Sequence, residues 1–313
     1  MMFGSPTEMI NEERDYLDSL KTEPTKKNNM ISINSLSGGK TSSYLAVHYP
    51  ADYNIFSLVT IDSEKCKPKD KKIIQRVNDK LSIFGFTEKY GEFIATAEDD
   101  KILKVMFDLE QMLGKEIIWI RGDSFDNVNK KHGKLVPNME RRYCTSDMKM
   151  YPIANFVYNH IMPQYEMMPV FSNVGFRYDE EHRAKKEREL KSKIIVGKRG
   201  TRNKWDMVFW GVANYPLIYD KITHYHVRKF WENKSIDFQV DSNCVGCFWK
   251  DVQQLRKNWD NHPDKMEWSA EQERKSKYNY KSKTNYDNIK KIGLQEEFYF
   301  GTGSGCQAGF CTD

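Results

Sequence analysis

No apolar run in the 313-residue sequence approaches the roughly 18 residues that a membrane-spanning helix requires. Its first 29 residues are polar and mixed in charge, without the apolar centre of an export signal. Both absences predict a cytoplasmic protein with no membrane partner. Charge of one sign is scarce too: 49 basic residues stand against 44 acidic ones, a net charge of +5. So mild a bias suits phosphorylated ligands without implying nucleic acid. A disulfide framework is not expected, because six cysteines in a chain without an export signal are better explained by metal binding or catalysis. What is present in quantity is hydrophobic side chain, 39% of the residues, enough for one large domain or two ordinary ones.

One further absence is local. The stretch Ser32–Leu45 contains Gly39-Lys40-Thr41, the end of a phosphate-gripping P-loop, but the glycine that opens such a loop is replaced by Asn34. The wide loop is therefore excluded. In its place stand an alternating strand over 30–35, a tight Ser37-Gly38-Gly39 turn, and a helix opening on Thr41, Ser42 and Ser43. Unpaired amides at a helix start, the positive end of its dipole and two residues without Cβ make a site for phosphate or pyrophosphate.

The run 54–61 is continuously apolar and ends at Asp62, as a strand buried on both faces should. Helices are expected over 69–84 and 98–113 and a second buried strand over 116–120. This βαβα alternation predicts an α/β protein with a mostly parallel, doubly wound sheet, whose ligands bind beyond the carboxyl ends of the strands. The Gly-, Asp- and Asn-rich segment 122–138 reads as a loop over that edge, 145–161 as a helix despite Pro152, and 167–176 as a strand. Between Arg183 and Lys204 ten basic residues meet two acidic ones, a stretch expected to cover the site or form its rim. An amphipathic helix follows over 223–233. The organisation expected is a polar segment over 1–29, a nucleotide-binding domain over 30–182, and a basic, Cys-containing region over 183–313 that completes the site.

Cys244-Val245-Gly246-Cys247 is a C-x-x-C in a tight turn, a spacing that lets two thiolates share zinc or an iron-sulfur cluster. Cys306 and Cys311 form a looser pair in a Gly-rich tail, so these four residues alone allow a zinc site. Cys66 reads as incidental.

The order of four blocks resembles that of the PP-loop ATP pyrophosphatases, in their phosphoadenylyl-sulfate reductase-like branch. Ser37-Gly38-Gly39-Lys40-Thr41-Ser42 is similar to the family's Ser-Gly-Gly-x-Asp-Ser loop. Cys144 with Lys149 and Pro152 is similar to a Cys-x-x-x-x-Lys-x-x-Pro block, and Gly175 through Arg183 to a Gly-x-Arg-x-Asp-Glu-x-x-Arg block. Pro216-Leu217 with Val227 and Phe230-Trp231 is similar to the helix that packs behind the nucleotide.

The resemblance covers about residues 30–250 and implies a Rossmann-like, adenine nucleotide alpha hydrolase-like fold. It implies binding of ATP or an adenylyl sulfate by Ser37, Gly38, Gly39, Lys40, Thr41 and Ser42, with Lys40 also stabilising charge on a departing pyrophosphate. Asp62 is placed for the ribose or adenine side, and Arg177 and Arg183 for phosphate. The family's loop carboxylate, which helps hold Mg²⁺, is Thr41 here, so either the metal is held elsewhere or the substrate is not ATP. For the metal site it implies a 4Fe-4S cluster on Cys144, Cys244 and Cys247 with a fourth ligand from the tail, Cys306 or Cys311.

Two enzymatic activities follow as expectations. In the first, ATP is cleaved to AMP and pyrophosphate, and the adenylated substrate passes to sulfur transfer or nucleic-acid modification, with a sulfur-donor protein as partner. In the second, Cys311 attacks the sulfur of an adenylyl sulfate and a thiol reductant releases sulfite. A third reading is non-catalytic, a metal-stapled module that binds nucleotides or nucleic acid. The acceptor is unidentified in every case. The basic stretch 183–204 and the Lys/Tyr-interleaved stretch 278–291 are the places where nucleic acid would be held.

Overall fold

Strands whose successive residues are apolar, such as Ile55-Phe56 and Ile117-Ile118-Trp119-Ile120, bury both faces and must lie inside a layered structure. In the computed structural model, which describes residues 31–184, 188–240 and 243–294, they do. The strands are β1 (Ser32–Leu36), β2 (Tyr53–Leu58), β3 (Thr60–Ile61), β4 (Ala95–Thr96), β5 (Ile117–Arg121), β6 (Val170–Asn173), β7 (Glu189–Arg199) and β8 (Arg202–Asn214). Six of them form one sheet in the order β5-β2-β1-β6-β8-β7, and every pair except β7 with β8 is parallel. The protein is thus an α/β structure with a six-stranded, mostly parallel sheet, in keeping with a Rossmann-like fold. Its last two strands come from residues 189–214.

Register in the middle of this sheet is fixed by a row of asparagines. Asn34 of β1 stands opposite Asn54 of β2 and Asn173 of β6, and Asn173 stands opposite Asn214 of β8. Asn34 donates to the Asn54 Oδ1 at 3.1 Å, Asn173 to the Asn34 Oδ1 at 2.9 Å, and Asn214 to the Asn173 Oδ1 at 2.7 Å. A slip of one residue would bury these amides without partners, so the row favours one pairing.

The main helices are α1 (Lys40–His48), α2 (Lys71–Ser82), α3 (Lys101–Leu113), α4 (Phe125–Lys131), α5 (Tyr151–Phe156), α6 (His224–Glu232), α7 (Val252–Asn261), α8 (Pro263–Arg274) and α9 (Tyr286–Lys291). Several differences from the sequence reading have local causes. The run 54–61 is split, because Thr60 pairs antiparallel with Thr96 in a separate small sheet. The expected loop 122–138 contains α4, whose N-cap Ser124 accepts a bond from the Asn127 amide at 3.3 Å, with Asp126 in the first turn and Lys130 and Lys131 in the last. The helical run 143–165 tolerates Pro152 by opening into a π turn at Ser146–Met150 just before it.

From Glu189 on, the basic stretch expected to cover or rim the site is the β7–β8 hairpin, turning at Gly200, whose φ is 62°. Ile194, Val208 and Trp210 point inward from it, and charge had masked that alternation.

Two hydrophobic clusters result. The first lies around the large sheet and takes in Ile33, Leu45, Ile55, Phe56, Ile102, Trp119 and Trp231. The second gathers Val59, Ile61, Phe125, Met148 and Val245 with Leu255, Trp259, Met266, Trp268, Tyr286 and Ile289 from α7, α8 and α9. No helix among the described residues is long and apolar enough to cross a membrane.

Candidate functional site

β1 ends at Leu36, the chain turns through Ser37, Gly38 and Gly39, and α1 begins at Lys40. Gly38 has φ of 77°, and a Cβ there would stand 2.2 Å from Cγ1 of Ile102 on α3, so only glycine fits. The turn is braced by Ser42, which receives the Ser37 amide at 3.2 Å and donates to the Gly39 carbonyl at 3.2 Å. Its outward carbonyls are held from the other side: Gln239 donates to Gly38 O at 3.1 Å and the Trp231 indole to Lys40 O at 2.8 Å. The amides of the first turn of α1 have no partners inside the helix, which is the property that lets a helix start receive an anion. The Lys40 side chain is exposed beside them.

The position of this turn is set by topology. From β1 the chain moves to β2 on one side and later returns to β6 on the other, so strand order reverses between β1 and β6. Ligands of open α/β sheets bind in the crevice at such a reversal, beyond the carboxyl ends of the strands. The segment leaving β6 closes on the turn: a Cβ on Gly175 would lie 3.6 Å from the Ser42 backbone and from Cγ2 of Thr41.

Arg177, two residues on, is fully buried and donates through Nη1 to Thr41 Oγ1 at 2.7 Å. Its Nη2 pairs with Glu180 at 2.8 Å and its Nε with Asp179 at 3.2 Å. Arg183 also pairs with Glu180, and its guanidinium stands 4.5 Å over the Phe176 ring. The structure therefore brings Arg177 against the loop and leaves Arg183 one layer behind, bracing Glu180.

Thr41, at the position where the resemblance implied a carboxylate, is buried and accepts from Arg177. His224 opens α6 here, its amide donating to Asp179 at 3.2 Å. Burial, with Arg177 next, holds its imidazole below the ordinary range, and Lys40 adds to the effect. Asp62 lies apart, accepting from Ser124 at 2.5 Å. It lines a cavity of about 330 Å³ with Asp126, Asn129, Lys130 and Gln272.

The second cluster carries the cysteines. The Cys244–Cys247 turn closes with the Cys247 amide on Cys244 O at 3.0 Å, and is pinned by Val245 N to Ala97 O at 2.8 Å, Asn258 to Val245 O at 2.8 Å, and the Tyr286 hydroxyl to Gly246 O at 2.9 Å. Any Cβ on Gly246 would meet Ser269 Oγ at 2.3 Å. Cys144 comes in from the start of the helical run. Burial pushes its thiol up to about 11, with Cys247 adding to the shift, and burial raises the Cys244 thiol well above its usual range, with Glu98 and the other two thiols contributing. The three thiols thus share one neighbourhood. Among the described residues, no three His, Cys, Asp or Glu side chains are gathered closely enough to hold a metal ion. Cys306 and Cys311 lie outside the described residues. Cys66 is buried with its thiol on Asp264 O at 3.4 Å.

Beside the thiols stands an ion pair that the sequence does not reveal, the half-buried Lys149 to the buried Glu98 at 3.0 Å. Glu98 precedes an apolar helical stretch, where a carboxylate normally signals a solvated helix start. Burial raises its carboxyl despite the opposing pull of Lys149 and Lys265. Trp231 was marked in the sequence by the Phe230-Trp231 block, though not its bond to the Lys40 carbonyl, and Gln239 has no sequence signal. No family model matches the sequence, and no curated protein is significantly similar to it.

Proposed function

We propose that the protein binds an adenine nucleotide with its pyrophosphate end on the Ser37-Gly38-Gly39 turn and cleaves ATP to AMP and pyrophosphate, adenylating an acceptor. The observation that carries this reading is the glycine turn opening α1 at the β1/β6 reversal, where Gly38 admits no Cβ and the Gly38 and Lys40 carbonyls are bonded by Gln239 and Trp231. In this reading the amides and Lys40 stabilise charge on the departing pyrophosphate, and Arg177 holds the first turn of α1 in place through Thr41. On this assignment the PP-loop resemblance accounts for the order of the blocks.

Cys144, Cys244 and Cys247 are proposed to hold a 4Fe-4S cluster, or zinc as the alternative, with one tail cysteine. What supports this reading is that the ionised forms of the three half-buried thiols repel one another, which a metal centre would relieve once the side chains close on it. Such a group supplies sulfur or braces the fold when bound.

Thr41 favours one second reading. A loop without a carboxylate suits an adenylyl sulfate, which needs no Mg²⁺ there, and the reaction is then reduction with Cys311 as nucleophile. Incubating anaerobically purified protein with ATP and Mg²⁺ separates the two. AMP and pyrophosphate in equal amounts, lost in Lys40→Ala, support adenylation. Sulfite released from an adenylyl sulfate without ATP turnover rejects it.

A further inference from the structure

The β7–β8 hairpin is longer than the sheet needs. Only Val170–Asn173 of β6 pairs with β8, over Gly211–Asn214, so residues 191–209 project past the end of β6 as a two-stranded ribbon. One face of this ribbon is core, through Ile194 and Trp210. The other is a mixed surface: Lys193 stands opposite Met207, Lys191 opposite Phe209, and Ile195 opposite Trp205. Trp205 is 45% exposed, Met207 61% and Phe209 37%, so three large apolar side chains in alternate positions face solvent. Around them lie Lys193, Lys198, Arg199, Arg202 and Lys204, all exposed, while Lys191 pairs with Glu189. Between Arg188 and Asn214 seven cations meet two carboxylates, so the ribbon alone carries as much net charge as the entire chain's +5.

This ribbon borders the cavity beside the carboxyl end of β5. That space is about 600 Å³ and is lined by Gly122, Asp123, Tyr90 and Tyr151 on one side and Lys193 and Trp205 on the other. The Tyr151 and Trp205 rings stand 6.4 Å apart. Aromatic faces spaced along a cationic ribbon are what a single strand of nucleic acid requires: cations track the phosphates, and rings stack on bases that are not already paired. A duplex hides its bases from Trp205 and Phe209, and so uses only half of this surface.

We infer that the β7–β8 ribbon and the adjoining cavity bind single-stranded nucleic acid, and that this strand is the acceptor on which the nucleotide chemistry acts. Naming it the acceptor rests on the adenylation reading; the binding itself does not, and is measured without ATP.

The test is fluorescence anisotropy of the full chain with a labelled oligodeoxythymidine of about 15 nucleotides, repeated over a range of salt. Five cations on the ribbon predict a slope of log K against log salt of about −3. The triple variant K193Q/R202Q/K204Q should flatten that slope by about two, and Trp205→Ala should weaken binding about tenfold while Trp205→Phe restores most of it. Trp205 is half exposed, and circular dichroism checks that each variant is folded.

Absence of binding by the wild type at the lowest salt overturns the inference. So do unchanged affinities in both variant sets, equal binding of a duplex of the same length, or preference for phosphatidylserine vesicles over the oligonucleotide. Failure here with AMP formation intact rejects the acceptor and leaves the adenylation reading standing; binding with no AMP formation does the reverse.

Discussion

The two hydrophobic clusters are built on opposite principles. The sheet cluster encloses uncharged amides, the asparagine row, and has its ion pair of Arg177 with Glu180 at the rim, beside the glycine turn. The cysteine cluster encloses ionisable side chains: Glu98 with Lys149, Lys265 with Asp100 at 2.7 Å, and Glu273 accepting from the amides of Tyr280 and Tyr286 at 2.8 and 2.6 Å. Amides at a helix start can be satisfied by water or by a ligand in turn. Buried charges are tolerated only while every partner is present. The first region is thus suited to exchange a ligand, and the second to hold a fixed arrangement around the thiols.

The largest effect that separates the regions should come from the pair of Glu98 with Lys149. Glu98→Ala leaves Lys149 without its partner beside the thiols, and is expected to lower the free energy of unfolding by about 3 kcal/mol, measured by denaturant titration. A cost below about 1 kcal/mol, appropriate to an exposed pair, would show that the second cluster is wetter than its packing implies.

Gly38→Ala comes next. It demands a left-handed backbone of a residue with Cβ and drives that Cβ into Ile102, costing about 2–3 kcal/mol and abolishing nucleotide affinity. Ala at Gly197, where a Cβ meets nothing within 4 Å, is the control and should alter neither.

Asn173→Ala breaks the asparagine row at its middle and leaves Asn34 and Asn214 each short of a partner, an expected loss of about 1–2 kcal/mol by thermal unfolding.

The smallest effect is that of pH at His224. Its folded pKa lies below the ordinary 6.5, so the unfolded chain takes up the proton first, and this group's stabilising contribution is lost as pH falls below 6.5. Pyrophosphate bound nearby favours the imidazolium, so its affinity should rise roughly fivefold on acidification, and His224→Gln should remove the rise. An identical pH profile in the variant would detach His224 from the anion site.

The same contrast decides how much could be seen in the sequence. Alternation made β1 legible and with it the turn at Ser37 to Gly39, and continuous apolar runs made β2 and β5 legible, because strands buried on both faces permit few alternatives. Helix α8 was not legible: Lys265, Gln272 and Glu273 are charged or polar, yet all three are buried, the first two against Asp100 and Asp126 far away in sequence and Glu273 against the amides of Tyr280 and Tyr286. The β7–β8 hairpin was hidden for a related reason, since its cations outnumber the inward Ile194, Val208 and Trp210 that make it a strand pair. Arg177 was legible as a site residue but not in its geometry, because the sequence could not show that Thr41, Asp179 and Glu180 converge on it.

The central claim is that the anion of a nucleotide sits on the turn at the β1/β6 reversal. Hydrogen exchange of the backbone amides with and without ATP tests it most directly. The account predicts the strongest protection over residues 37–43, with a second, weaker effect over 175–178. Unchanged exchange over 37–43, with protection appearing instead around Asp62 or in the 600 Å³ cavity beside β5, would contradict it.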